Sequence, residues 1–215
     1  MRRLFPVAML FGAVSSHAFA EDQSVGARIG MLGIGVEYSY RLSDRIAIRG
    51  GLNGASFGFD DTESGIAYDF NLDFDSLSVG VDLHPLKGPF RVSVGALRNS
   101  SAIAASSTPI QPIDIGGTVY QPADVGSLLG SIAFDGTAPF LSVGWDFRFD
   151  KKLGMTFELG VVDQGGPVVT LEATGPIASD VQFMQDVATE RLELEDAFAD
   201  LDLYPFAMLG MAFRF

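Results

Sequence analysis

Ala207-Met208-Leu209-Gly210-Met211-Ala212-Phe213-Arg214-Phe215 ends the chain in strict two-residue alternation. Ala207, Leu209, Met211, Phe213 and Phe215 make one apolar face; Met208, Gly210, Ala212 and Arg214 make the smaller or polar one. Successive strand side chains point to opposite sides, so this spacing predicts a strand with one wholly apolar face. Termini of water-soluble domains fray into solvent, and an apolar pattern held to the last residue is unusual there. The pattern recurs around Trp145, where Leu141, Val143, Trp145, Phe147 and Phe149 alternate with Ser142, Gly144, Asp146 and Arg148. Strands are read at 27–40, 46–58, 67–83, 90–104, 132–149, 155–163, 167–174 and 205–215. Short connections at 41–44, 84–89 and 150–154 read as hairpin turns.

The other end opens with Arg2 and Arg3, an apolar run over 4–14, and Ala18-Phe19-Ala20. That order predicts a signal peptide at 1–20, cleaved before Glu21, with a single domain over 21–215. The run is too short for a spanning helix, which needs roughly 20 residues. The chain has 215 residues and a formal charge of −13; cleavage removes 20 residues and two arginines, leaving 195 residues at −15. Such acidity excludes nucleic acid as a partner. Without cysteine there is neither disulfide stapling nor thiol chemistry. The 25 glycines suit close strand packing in an apolar wall.

Tyr38, Tyr40, Phe90, Trp145, Phe147, Phe149 and Phe157 all fall near the three turns on the apolar face, where they predict an interfacial girdle. The opposite face places Glu37, Asp82, Asp146 and Glu158 beside Arg49, Arg91 and Arg148. In a narrow closed sheet these charges are expected to pair and fill the interior, because unpaired buried ions are costly. A selectivity constriction is the functional alternative. A soluble barrel of lipocalin type competes with both, and requires the apolar faces to point inward.

From Tyr68 to Leu83 the apolar positions change phase, and one inserted residue near Asp75-Ser76 would restore a continuous face. The polar positions before it, Asp69, Asn71, Asp73 and Asp75, form an acidic ladder near Asp60, Asp61 and Glu63; this reads as a wet wall, with a cation site as the alternative. A loop over 106–130 contains a small hairpin at 113–120. A helix is expected over about 180–202, capped by Ser179 with Gln182, its stripe formed by Met184, Val187, Leu194, Phe198 and Leu201. That stripe is expected on the barrel rim or in its mouth, with Arg191 paired to a carboxylate; partner binding is the alternative. An even strand count is reached by taking 167–174 as a strand of its own. This puts the short turns and the helix at one end and the 106–130 loop at the other, against the rule that short turns share the side of the termini.

His84 is the one histidine outside the signal peptide. Paired with Asp82 it could serve a lipid hydrolase, but no serine signature accompanies it, and a turn histidine is the plainer reading. No catalytic residue, cofactor or metal is expected.

Gly210, Phe213 and Phe215 resemble the C-terminal sorting signal of Gram-negative outer-membrane β-barrels, with Met208 where a polar residue is usual. With the signal peptide, the alternating strands and the girdle, the chain resembles the small outer-membrane barrels of the OmpA, OmpX and OmpW kind. The resemblance implies an all-β, antiparallel up-and-down transmembrane barrel of about eight strands, with the acidic helix before the last strand. It further implies handling by the barrel assembly machinery and a setting among outer-membrane lipids and lipopolysaccharide. The role it implies is non-enzymatic, in envelope structure or surface interaction, with a narrow passive channel as the alternative. No peptidoglycan-binding domain is expected after the last strand.

Overall fold

The computed structural model describes residues 22–63 and 66–215; the side chains of 61–68, 135, 200 and 201 are outside that description, as is the signal-peptide reading of 1–20. The elements are β1 (Gln23–Gly30), β2 (Gly33–Arg41), β3 (Ile46–Glu63), β4 (Ile66–Leu83), β5 (Phe90–Thr108), β6 (Ile113–Ile115), β7 (Thr118–Tyr120), α1 (Pro122–Val125), β8 (Leu128–Arg148), β9 (Leu153–Asp163), β10 (Val168–Ala173), α2 (Val181–Ala197) and β11 (Leu203–Arg214). Eight of them, β1, β2, β3, β4, β5, β8, β9 and β11, close antiparallel into a barrel. The seam joins first strand to last, from Ser24↔Arg214 to Gly30↔Met208.

The count of eight holds, but its membership differs from the expectation. The stretch read as one strand over 27–40 is the β1–β2 hairpin, turning at Met31-Leu32 with Gly33 at a φ of 97°. That positive φ costs glycine nothing. The segment at 167–174 contributes no stave: β9 pairs with β8 from Arg148 to Phe140, and β10 continues along the same edge from Ala133 to Leu128. Asp22, the first described residue, and Arg214 therefore lie with the three short turns, since Arg41 N–H donates to Asp22 O and Arg214 N–H to Lys152 O. The β6–β7 hairpin, α1 and α2 sit together at the opposite end, so the placement of helix and 106–130 loop at different ends is overturned, and the conflict over turn sides disappears.

The expected bulge is also absent. β3 and β4 keep one register from Ile46↔Leu83 to Glu63↔Ile66. Against β5 the pairs at Phe74 and Asp75 open, but the register on either side is unchanged. The phase change is instead a reversal of polarity along a straight strand. Near the turns, Leu77, Val79, Val81 and Leu83 face out and are exposed. Beyond Ser76, the outward residues are Asp69, Asn71, Asp73 and Asp75, while Phe70, Leu72 and Phe74 face in. An apolar exterior belt thus gives way to a water-facing wall, as a strand leaving lipid requires.

On the belt, Phe90, Trp145 and Phe157 stand in one register row, with ring centroids 5.6 and 6.0 Å apart. The helix begins at Asp180 rather than Ser179: Asp180 Oδ1 accepts from Gln182 N at 2.9 Å and Phe183 N at 3.1 Å. Its buried face carries Phe183 and Asp186, not the expected Met184, which is 48% exposed. It packs on β10 and β6 over a small separate core of Ile115, Val125 and Phe183, and leaves the lumen alone.

Candidate functional site

Two layers of side chains lie across the barrel interior. Nearest the short turns, Arg28, Arg49 and Arg91 interleave with Glu37, Asp82, Asp146 and Glu158. Arg49 forks onto Glu158 with Nη1 at 2.6 Å and Nη2 at 2.7 Å, reaches Glu37 at 3.1 Å through Nη1 and Asp82 at 3.1 Å through Nε. Arg91 lies 3.1 Å from Asp146, 3.3 Å from Glu158 and 3.5 Å from Asp82, and donates to Ser93 Oγ at 2.8 Å. Ser142 Oγ donates to Glu158 at 2.5 Å. The bidentate pairing of Arg49 with Glu158, both of whose oxygens are occupied, is the geometry that offsets the desolvation of buried ions.

Six of the seven charged residues singled out from the sequence meet here: Glu37, Arg49, Asp82, Arg91, Asp146 and Glu158. Arg148 does not. It is exposed at the turn-side mouth, with no ion-pair partner among the described residues. Two members were missed. Arg28 binds Glu37 at 2.5 Å, Asn53 Oδ1 at 2.8 Å and Ser78 Oγ at 3.3 Å. Its signal was present in the Val25, Ala27, Ile29 alternation, which sends Arg28 inward once the first strand is ended at Gly30. His84 is 3% exposed and meets Asp146 at 3.3 Å, not Asp82. It points into the lumen, away from the lipid face that a lipid hydrolase would need.

Glycines supply the room. A Cβ on Gly144 would fall 2.8 Å from Arg91 Cζ, and one on Gly51 2.5 Å from Arg28 Nη2. These glycines face the lumen, so their part is to admit large side chains rather than to tighten the lipid wall.

The second layer lies further from the turns. Leu97, Ala138, Phe140, Val162, Phe206 and Met208 form a buried cluster, with Leu32 and Tyr204 packed on it. Again glycines make way: Gly80 and Gly95 sit under Phe140, and Gly160 under Phe206. Above it opens an apolar cavity of about 140 Å³ bordered by Phe74, Ile103 and Phe134. The sorting-signal residues divide by parity: Gly210 is inward and buried, Phe213 and Phe215 outward and exposed. Among the described residues, no group of three or more His, Asp or Glu is placed to hold a metal ion.

A closed eight-stranded antiparallel wall with its apolar face outward defines the small outer-membrane type of β-barrel. The solved structures it resembles include CarO2 of Acinetobacter baumannii, at a TM-score of 0.63 and 19% identity over 91% of this chain and 99% of that one. CarO of the same organism, an outer-membrane protein, aligns at 0.61 and 18% identity over 89% and 97%. The likeness is one of fold. No family model matches the sequence, and a search of curated proteins finds no match.

Proposed function

We propose that the protein is a non-enzymatic barrel of the outer membrane, its lumen closed by the charged network, that serves envelope structure or surface interaction. The observation that carries this reading is the double closure, an ion-paired layer backed by an apolar one inside a wall whose outer face is apolar. The fold shared with the CarO proteins supports the location. The two layers also favour a plug over a narrow passive channel, because a solute path would have to cross both. In this reading the short turns, Asp22 and the end of β11 are periplasmic, the cap of β6, β7 and α2 is outside, and the belt contacts outer-membrane lipid and lipopolysaccharide after delivery by the assembly machinery. The test is membrane fractionation, followed by electrophoresis with and without boiling, and planar-bilayer recording. An outer-membrane protein whose mobility shifts on heating and that carries no steady current is expected. A periplasmic, heat-insensitive protein, or a stable conductance, overturns the reading.

A further inference from the structure

The charged network leaves three arginines out. Arg41, Arg148 and Arg214 occupy inward positions of β2, β8 and β11 at the turn-side mouth, alternating with outward Tyr40, Phe147 and Phe213. With Lys87, His84 and Asp146 they line a solvent-open vestibule of about 360 Å³. None of the three has an ion-pair or side-chain hydrogen-bond partner among the described residues, and Arg214 Nη1 is buried without one. The negative charges nearby do not neutralise them. Asp146 is engaged by Arg91 at 3.1 Å and His84 at 3.3 Å, and Asp22, beside Arg41 at the rim, makes no ion pair among the described residues. Three guanidiniums without ion-pair partners among the described residues, held on barrel strands around one opening in a chain of formal charge −13, are placed for a counter-charge.

We propose that this vestibule binds a small soluble oxyanion of the phosphate class. A carboxylate matches one guanidinium fork, whereas a tetrahedral phosphate offers oxygens to several forks at once. Inward placement on the wall keeps lipid headgroups away, which favours a soluble anion over a phospholipid. This goes beyond the plugged-barrel reading and stands apart from it, since binding is read on the folded protein wherever that protein resides.

The experiment titrates inorganic phosphate, then pyrophosphate, into the detergent-folded mature chain, reading arginine side-chain N–H signals by NMR. Saturable shifts are expected, with Arg148→Gln and Arg214→Gln each weakening binding by about tenfold or more, the worth of one charge-assisted hydrogen bond. Arg98→Gln, at an exposed outward position, should leave it unchanged. The heat-shift gel checks that each variant folds; should Arg214→Gln fail to close, Arg148→Gln and Arg41→Gln carry the comparison. Absence of saturation, or equal loss in Arg98→Gln, overturns the proposal. So does a response confined to bicelles containing phosphatidylglycerol, which would assign the site to lipid.

Discussion

At the scale of single residues, Glu158 holds the network together. It accepts from both Nη atoms of Arg49, from Arg91 and from Ser142. Replacing it by Gln leaves two buried guanidiniums undercompensated, a change that costs roughly 3–5 kcal/mol when a buried pair loses one partner. Glu158→Gln should therefore lower the urea midpoint of the detergent-folded barrel by that amount. A loss under about 1 kcal/mol would be the size seen for hydrated surface pairs, and would return weight to the channel alternative. The surrounding glycines explain how an eight-stranded interior, which only just admits side chains, takes large ones: Arg28 and Arg91 lie against Gly51 and Gly144, and Phe140 and Phe206 against Gly80, Gly95 and Gly160.

At the scale of elements, the cap contains a side-chain bond that titrates at both ends. Tyr120 Oη donates to Asp186 Oδ2 at 2.6 Å, beneath Phe183 packed edge-on to the same ring at 4.9 Å. That bond pushes the Tyr120 phenol up to about 12 and, with the Gln182 amide, holds Asp186 below the usual carboxylate range. The raised phenol stabilises the cap fully below the free value of about 10, and its contribution is lost as pH climbs through the folded value. The depressed carboxylate stabilises above its free value of about 4, and its contribution is lost as pH falls through the lower folded value. Limited proteolysis between β10 and β11 should thus be slow from about pH 4 to 10 and quicken on either side; Tyr120→Phe should abolish the alkaline limb.

Two phase changes in the alternation separate what this sequence disclosed from what it hid. Strand periodicity, the girdle row and the inward charges of β3, β5 and β9 could be read directly, because lipid outside and a packed lumen inside impose opposite demands on neighbouring residues. Between Ile29 and Ile34 the phase shift marks a two-residue hairpin, and from Phe74 to Leu77 it marks a wall leaving the apolar belt. A turn, a bulge and a reversal of environment all shift phase by one, so the pattern alone does not tell them apart. Reading the first as continuity hid Arg28; reading the second as a bulge hid the apolar interior beyond the belt. Arg148 misled for a related reason, since parity fixes the face of a side chain but not its height along the barrel.

At the scale of the whole molecule, charge is polarised along the axis. Every lysine of the chain, Lys87, Lys151 and Lys152, lies at the short turns with Arg41, Arg45, Arg148 and Arg214. The cap carries Asp180, Asp186, Glu190, Glu193, Glu195, Asp196 and Asp202 against Arg191, which is itself paired with Glu195 at 2.7 Å. If the cap faces outward, protease added to intact cells should cut around α2 and spare the lysines of the 150–154 turn. Cleavage at those lysines with an intact cap would reverse the assigned orientation.

The seam adds an element of timing. Every neighbouring pair of staves except one is consecutive along the barrel strands, whereas β1 must find β11, its partner being as distant in sequence as Arg214 is from Ser24. Such long-range pairing is the slow step wherever loop closure has to precede contact. Until that pairing forms, the molecule is an open ribbon with two unsatisfied edges, vulnerable to pairing with the wrong strand. The last nine residues are therefore the latch of the folding clock as well as a stave of the finished wall.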